Sequence, residues 1–120
     1  MRFLWTTIPV TNLDRSIAFY GDLLGLQVKR RYAVGALELA FLGYERQGET
    51  ELELIYTEVP QAFADSVSIG FEVESLDAMQ KTLEEKGIDL SGGPFVGDGH
   101  AFIFVKDPDG MNVQLFENRL

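Results

Sequence analysis

The chain has 120 residues, with a single histidine at position 100 and no cysteine. Thiolate nucleophiles, disulfides and cysteine-ligated zinc are therefore excluded. A histidine-based nucleophilic triad has one candidate base, and a metal site would have to draw mainly on carboxylates. Carboxylates are abundant: 19 acidic side chains stand against 10 basic ones, a formal charge of −9. In the run Glu51-Leu52-Glu53-Leu54-Ile55, strand alternation sends the two leucines to one face and Glu51, Glu53 and Ile55 to the other. A carboxylate such as Glu53 on an inner face can accept a ligand hydrogen bond, pair with a cation or, in a dry setting, act as a general base. The competing reading is a solvated side chain, since charged residues are rarely buried alone. His100 follows Gly97-Asp98-Gly99, opens the strand before the turn Asp107-Pro108-Asp109-Gly110 and reads as a surface residue, although imidazole chemistry suits proton transfer. The basic run Lys29-Arg30-Arg31 reads as a solvated edge, with an anion site as the alternative.

The elements that must position these residues follow from spacing. Phe3–Val10 is predicted as a strand with Leu4, Thr6, Ile8 and Val10 on one face, and Pro9 suits an edge. Trp5 and Thr7 then share the other face. Asn12 can cap a helix whose stripe is Leu13, Ile17, Tyr20 and Leu24, closed at Gly25. Strands are expected at Leu26–Tyr32, Ala36–Leu42 and Glu51–Tyr56, with Gly43–Thr50 as a hairpin connection. After a linker at Pro60–Ser66 the pattern restarts. Val67–Val73 is a strand, and Ser75 caps a helix with stripe Leu76, Met79 and Leu83 that closes at Gly87. Short strands are expected near Ile88–Leu90, at Ala101–Val105 and at Met111–Phe116, the last two joined by the turn Asp107-Pro108-Asp109-Gly110.

This is β-α-β-β-β written twice. An offset of 63 maps Val10, Asn12, Leu13 and Asp14 onto Val73, Ser75, Leu76 and Asp77. At an offset of 61, Glu51-Leu52-Glu53-Leu54 falls on Asn112-Val113-Gln114-Leu115. The reading is one α+β domain over 1–120, with module one at about 1–59, a linker at about 60–66 and module two at about 67–120. The helices would cover the outer face of a curved mixed sheet, leaving the inner face to line a cleft. The negative charge argues against nucleic acid, and no apolar run reaches the ~20 residues that span a bilayer. The polar N-terminus does not read as a signal peptide, so a cytoplasmic protein without membrane association is expected.

Two segments resemble the vicinal oxygen chelate superfamily, the glyoxalase, bleomycin-resistance and dioxygenase group. They are Val10-Thr11-Asn12-Leu13-Asp14-Arg15-Ser16-Ile17-Ala18-Phe19-Tyr20 with Leu24-Gly25-Leu26, and Val105-Lys106-Asp107-Pro108-Asp109-Gly110-Met111-Asn112-Val113-Gln114-Leu115. The resemblance covers essentially the whole chain and implies paired βαβββ modules and a homodimer. It leaves function open, because one scaffold carries lyases, isomerases, transferases, oxygenases and drug binders. It also implies a divalent metal held by four side chains, typically His, Glu, His and Glu. Those positions fall here on Trp5, Glu53, Ser68 and Gln114.

An indole N–H only donates, and Ser68 and Gln114 are weak neutral ligands, so the site reads as metal-free and without a cofactor. Glyoxalase-type isomerisation needs a metal to stabilise an enediolate and a carboxylate to move the proton; Gln114 cannot take a proton. The expected function is small-molecule binding in a cleft lined by Trp5, Thr7, Glu53, Ser68, Gln114 and Phe116, with sequestration of a cationic antibiotic as one form. Catalytic residues are unassigned, with Glu53 the best candidate. The rivals are a divergent lactoylglutathione lyase-like lyase or isomerase and a non-catalytic module whose cleft is plugged by Trp5.

Overall fold

A computed structural model of the chain describes residues 1–46, 48–59 and 67–120. The linker expected at Pro60–Ser66 lies outside the described residues. The chain divides into two compact units, Met1–Ala62 and Phe63–Leu120.

The first unit holds β1 (Trp5–Val10), α1 (Leu13–Ala18), β2 (Gln27–Val34), β3 (Leu37–Gly43) and β4 (Glu51–Tyr56). Its sheet runs β1-β4-β3-β2, parallel between β1 and β4 and antiparallel elsewhere. Pro9 sits on the edge strand β1, where a missing N–H costs no ladder bond. Asn12 caps α1 by accepting the Arg15 N–H at 2.9 Å. The helix then widens into a π-helical turn over Phe19–Leu23, and Gly25, with φ 74°, ends it. The stripe differs from expectation at one place: Ser16 is fully buried, whereas Ile17 is half-buried. Helix α1 packs on β3 and β4, and the small side chain of Ser16 allows close approach there. Ile8, Val10, Ala40, Leu42, Leu52 and Leu54 form the sheet side of this core.

The second unit repeats the topology. It holds β5 (Ser68–Glu72), α2 (Leu76–Lys86), β6 (Gly92–Gly97), β7 (His100–Lys106) and β8 (Asn112–Asn118), in the order β5-β8-β7-β6. Strands β5 and β8 are the parallel pair. Ser75 caps α2 through the Ala78 N–H at 3.1 Å, and Gly87 closes it at φ 69°. Leu76 and Leu83 are buried under α2 beside Ile103, Val105, Val113 and Leu115. Burying each such side chain contributes about 1.5–3 kcal/mol. The buried Asp107 carboxylate accepts the Asp109 and Met111 N–H groups at 2.8 and 2.9 Å, which shapes the turn before β8.

One expected strand moves. Ile88–Leu90 is irregular, and the strand that follows α2 is β6 at Gly92–Gly97. Its sequence, Gly-Gly-Pro-Phe-Val-Gly, carries little strand propensity. Pairing with β7 imposes the extended form, and a Cβ on Gly93 would come 2.9 Å from the Phe102 carbonyl oxygen. Only glycine allows that approach.

Candidate functional site

Each sheet turns one face to its helix; the candidate residues lie on the other. In the first unit the strand register aligns Thr7 of β1, Glu53 of β4, Phe41 of β3 and Arg30 of β2 in a single row. The Thr7 hydroxyl donates to Glu53 Oε1 at 2.6 Å, and Glu53 is 9% exposed. Among the described residues no cation pairs with Glu53. Arg30 instead donates to Glu51 at 2.7 and 3.3 Å and lies 4.3 Å over the Phe41 ring. That bond to Glu51 holds the guanidinium above its usual pKa. Trp5 meets Phe41 edge to face with centroids 5.0 Å apart, yet stays 42% exposed. Trp5, Thr7 and Glu53 therefore share one face, as alternation predicts. Arg30 and Phe41 join them, and only the pairing register reveals this.

In the second unit Gln114 pairs in register with Gly70 and Phe104, and Phe116 with Glu72 and Phe102. Ser68 is exposed at the start of β5, while Gln114 and Phe116 are half-buried. Gly70 leaves room beside Gln114; a Cβ there would meet its Oε1 at 3.7 Å. Phe95, Phe102 and Phe104 form a connected aromatic cluster with centroids 5.2 to 6.4 Å apart. His100 stacks nearly parallel to Phe102 and Phe116, at 6.1 and 5.7 Å. Its Nδ1 lies 3.2 Å from the Asp98 carbonyl oxygen. The sole histidine thus opens β7, as expected, and belongs to an aromatic face. Period two along Phe102, Phe104 and along Gln114, Phe116 is the signal that could have grouped them.

The family resemblance places Trp5, Glu53, Ser68 and Gln114 at metal-ligand positions, and the chemistry of these residues can be judged; Trp5 and Glu53 lie in the first unit, Ser68 and Gln114 in the second. This set holds one carboxylate, one hydroxyl, one amide and one indole N–H that donates only. Such a set does not fit a divalent transition metal, which takes three or more imidazole, carboxylate or thiolate ligands in catalytic sites. Among the described residues there is also no group of three or more His, Cys, Asp or Glu that could hold a metal ion elsewhere.

Paired βαβββ modules with polar and aromatic residues on the helix-free faces define a glyoxalase-like fold. The model of the Glyoxalase/Bleomycin resistance protein/Dioxygenase superfamily matches residues 2–115, and the chain belongs to that superfamily. It is 34% identical to a lactoylglutathione lyase of Haemophilus influenzae, over 99% of this chain and 94% of the relative. Among solved structures, the trypanothione-dependent glyoxalase I of Leishmania major superposes with a TM-score of 0.85 at 31% identity, covering 98% of this chain and 86% of that one. TnmS3, an antibiotic-binding protein from Streptomyces sp. CB03234, superposes with a TM-score of 0.78 at 18% identity, covering 98% and 96%. That last likeness is one of fold.

Proposed function

We propose that this protein binds an organic small molecule on the helix-free faces of its sheets and does so without the metal chemistry of its superfamily. The observation that carries the reading is the donor set: Trp5, Ser68 and Gln114 stand at three of the four ligand positions, with Glu53 alone at the fourth. Glu53 accepts a hydrogen bond from the neutral hydroxyl of Thr7, and no cation among the described residues pairs with it. A ligand with a cationic group satisfies it, and Trp5 and Phe41 on the same face of the first unit offer aromatic contact for the remainder. Sequestration of an antibiotic of that kind is one biological use. The proposed assembly is a homodimer in the cytoplasm; no helix among the described residues is long and apolar enough to cross a membrane.

A second reading has its own support, since the 34% identity to a lactoylglutathione lyase favours a divergent lyase or isomerase that uses Glu53 as its base. One set of measurements separates the two. Untagged protein is analysed for bound metal and assayed for lactoylglutathione lyase activity with added nickel, zinc, cobalt and manganese. The binding reading expects no stoichiometric metal and no turnover. It also expects Glu53→Gln to weaken a cationic ligand by about tenfold, the loss of a charge-assisted bond. Metal-dependent turnover that Glu53→Gln abolishes would establish the enzyme instead. If a panel of cationic drugs leaves Trp5 emission and calorimetric heat unchanged, the plugged face is the better description.

A further inference from the structure

The structure divides the basic run Lys29-Arg30-Arg31, and only its Arg30 lies in the row of Glu53. Arg31 leaves for Asp14 of α1, at 2.7 Å. Lys29 and Arg30 line a cavity of about 480 Å³ in the first unit, a size that suits a small organic molecule. Arg2 enters it from the N-terminal segment and Arg46 from the connection between β3 and β4. Four of the chain's ten basic residues thus meet in one place, brought there from three separate segments.

Their charges are committed to different degrees. Arg30 neutralises Glu51. Lys29 Nζ donates to the Tyr44 carbonyl oxygen at 3.0 Å, a neutral acceptor, and forms no ion pair among the described residues. Arg2 and Arg46 form no ion pair among the described residues, and the Arg2 guanidinium lies against Gly48, where a Cβ would stand 3.5 Å from it. Glu45 and Glu49 also line the cavity, so three uncommitted cations face two carboxylates. In a chain of net charge −9, that local excess of positive charge runs against the average. Trp5 forms one wall.

We propose that this cavity is a binding site for a compact anion, the carboxylate or phosphate group of a small molecule. Two guanidinium forks with no ion pair among the described residues and one ammonium group line a concave space, and such forks grip carboxylate and phosphate oxygens in pairs. The site is opposite in charge to Glu53; it shares Trp5 and Arg30 with the Glu53 face, but Arg2, Lys29 and Arg46 lie outside that row, so it stands whether or not the Glu53 reading does.

The test uses the full chain, inorganic phosphate and citrate as probes, and chloride buffers of matched ionic strength, because exposed charges are screened by salt. Isothermal calorimetry and the emission of Trp5, the sole tryptophan, are followed together. Saturable binding of at least one probe is expected, and whichever binds tighter identifies the preferred anion. The double variant Arg2→Ala/Arg46→Ala should weaken it at least about tenfold, the scale of lost charge-assisted bonds. Glu53→Gln should leave it within about twofold, which separates failure here from failure of the Glu53 reading. Arg46→Glu, which keeps a long polar side chain, provides the same weakening if the double variant does not fold. Heats and emission no different from those of chloride, or undiminished affinity in a folded Arg46→Glu protein, would overturn the proposal.

Discussion

At 2.6 Å the Thr7 hydroxyl is within strong hydrogen-bonding range of a carboxylate that is 9% exposed, and that pair organises the first sheet's open face. Replacing Thr7 by valine keeps the β-branched shape and removes the donor. Urea unfolding of Thr7→Val should show a loss of about 1–2 kcal/mol, because Glu53 is left with one partner fewer at a poorly hydrated position. An unchanged midpoint would mean that solvent replaces the hydroxyl without cost. Glu53 was legible from the sequence because alternation places it opposite Leu52 and Leu54. Arg30 was not. A basic run reads as a solvated edge, and only the register of β2 on β3 sets Arg30 opposite Phe41. Trp5 was legible as an inner-face aromatic; its edge-on seat against Phe41 is a matter of packing.

Among the elements, the helix starts carried the clearest local signal. Asn12 and Ser75 each accept the N–H three residues on, and each precedes a leucine that is buried. Alanine at either position should cost about 1 kcal/mol by chemical denaturation, with hydrogen exchange accelerated in the first turn of the affected helix. Loss confined to the other helix would contradict the assignment. Strand β6 shows the opposite situation. Gly92–Gly97 has little intrinsic preference for a strand, whereas Ile88–Leu90 has more, and the chain pairs the former with β7. Propensity loses to the ladder bonds and to the phenylalanine contacts that Phe95 makes with Phe102 and Phe104. The π-helical turn at Phe19–Leu23 likewise has no marker in composition; it brings both Tyr20 and Leu23 into the core.

For the molecule as a whole, the repeated order β1-β4-β3-β2 and β5-β8-β7-β6 is the deepest regularity. Long-range polar contacts tie elements together within each unit. Glu117 of β8 accepts the Leu76 N–H at the start of α2 at 2.7 Å and an Arg119 bond at 3.1 Å. The Leu76 N–H first, and Arg119 second, hold its carboxyl below the ordinary carboxylate range. A depressed folded pKa means that this stabilisation is fully present above the unfolded value and is lost as pH falls through the folded one. Unfolding midpoints measured between about pH 6 and about pH 3 should therefore fall less steeply for Glu117→Gln than for the parent chain. Parallel curves would remove Glu117 from the acid response.

The sequence by itself determined the module grammar, the caps, the turn at Asp107–Gly110 and the chemistry available at Trp5, Glu53, Ser68 and Gln114. These depend on residue type and on spacing within a few positions, where backbone geometry is nearly obligatory. Tertiary structure alone decided which residues became neighbours across strands: Thr7 with Glu53, Arg30 with Glu51 and Phe41, His100 with Phe116. It also decided that Arg2, Lys29 and Arg46 meet around one cavity. Those contacts join positions from 11 to 46 residues apart, and a register that shifts by one residue would reverse every face.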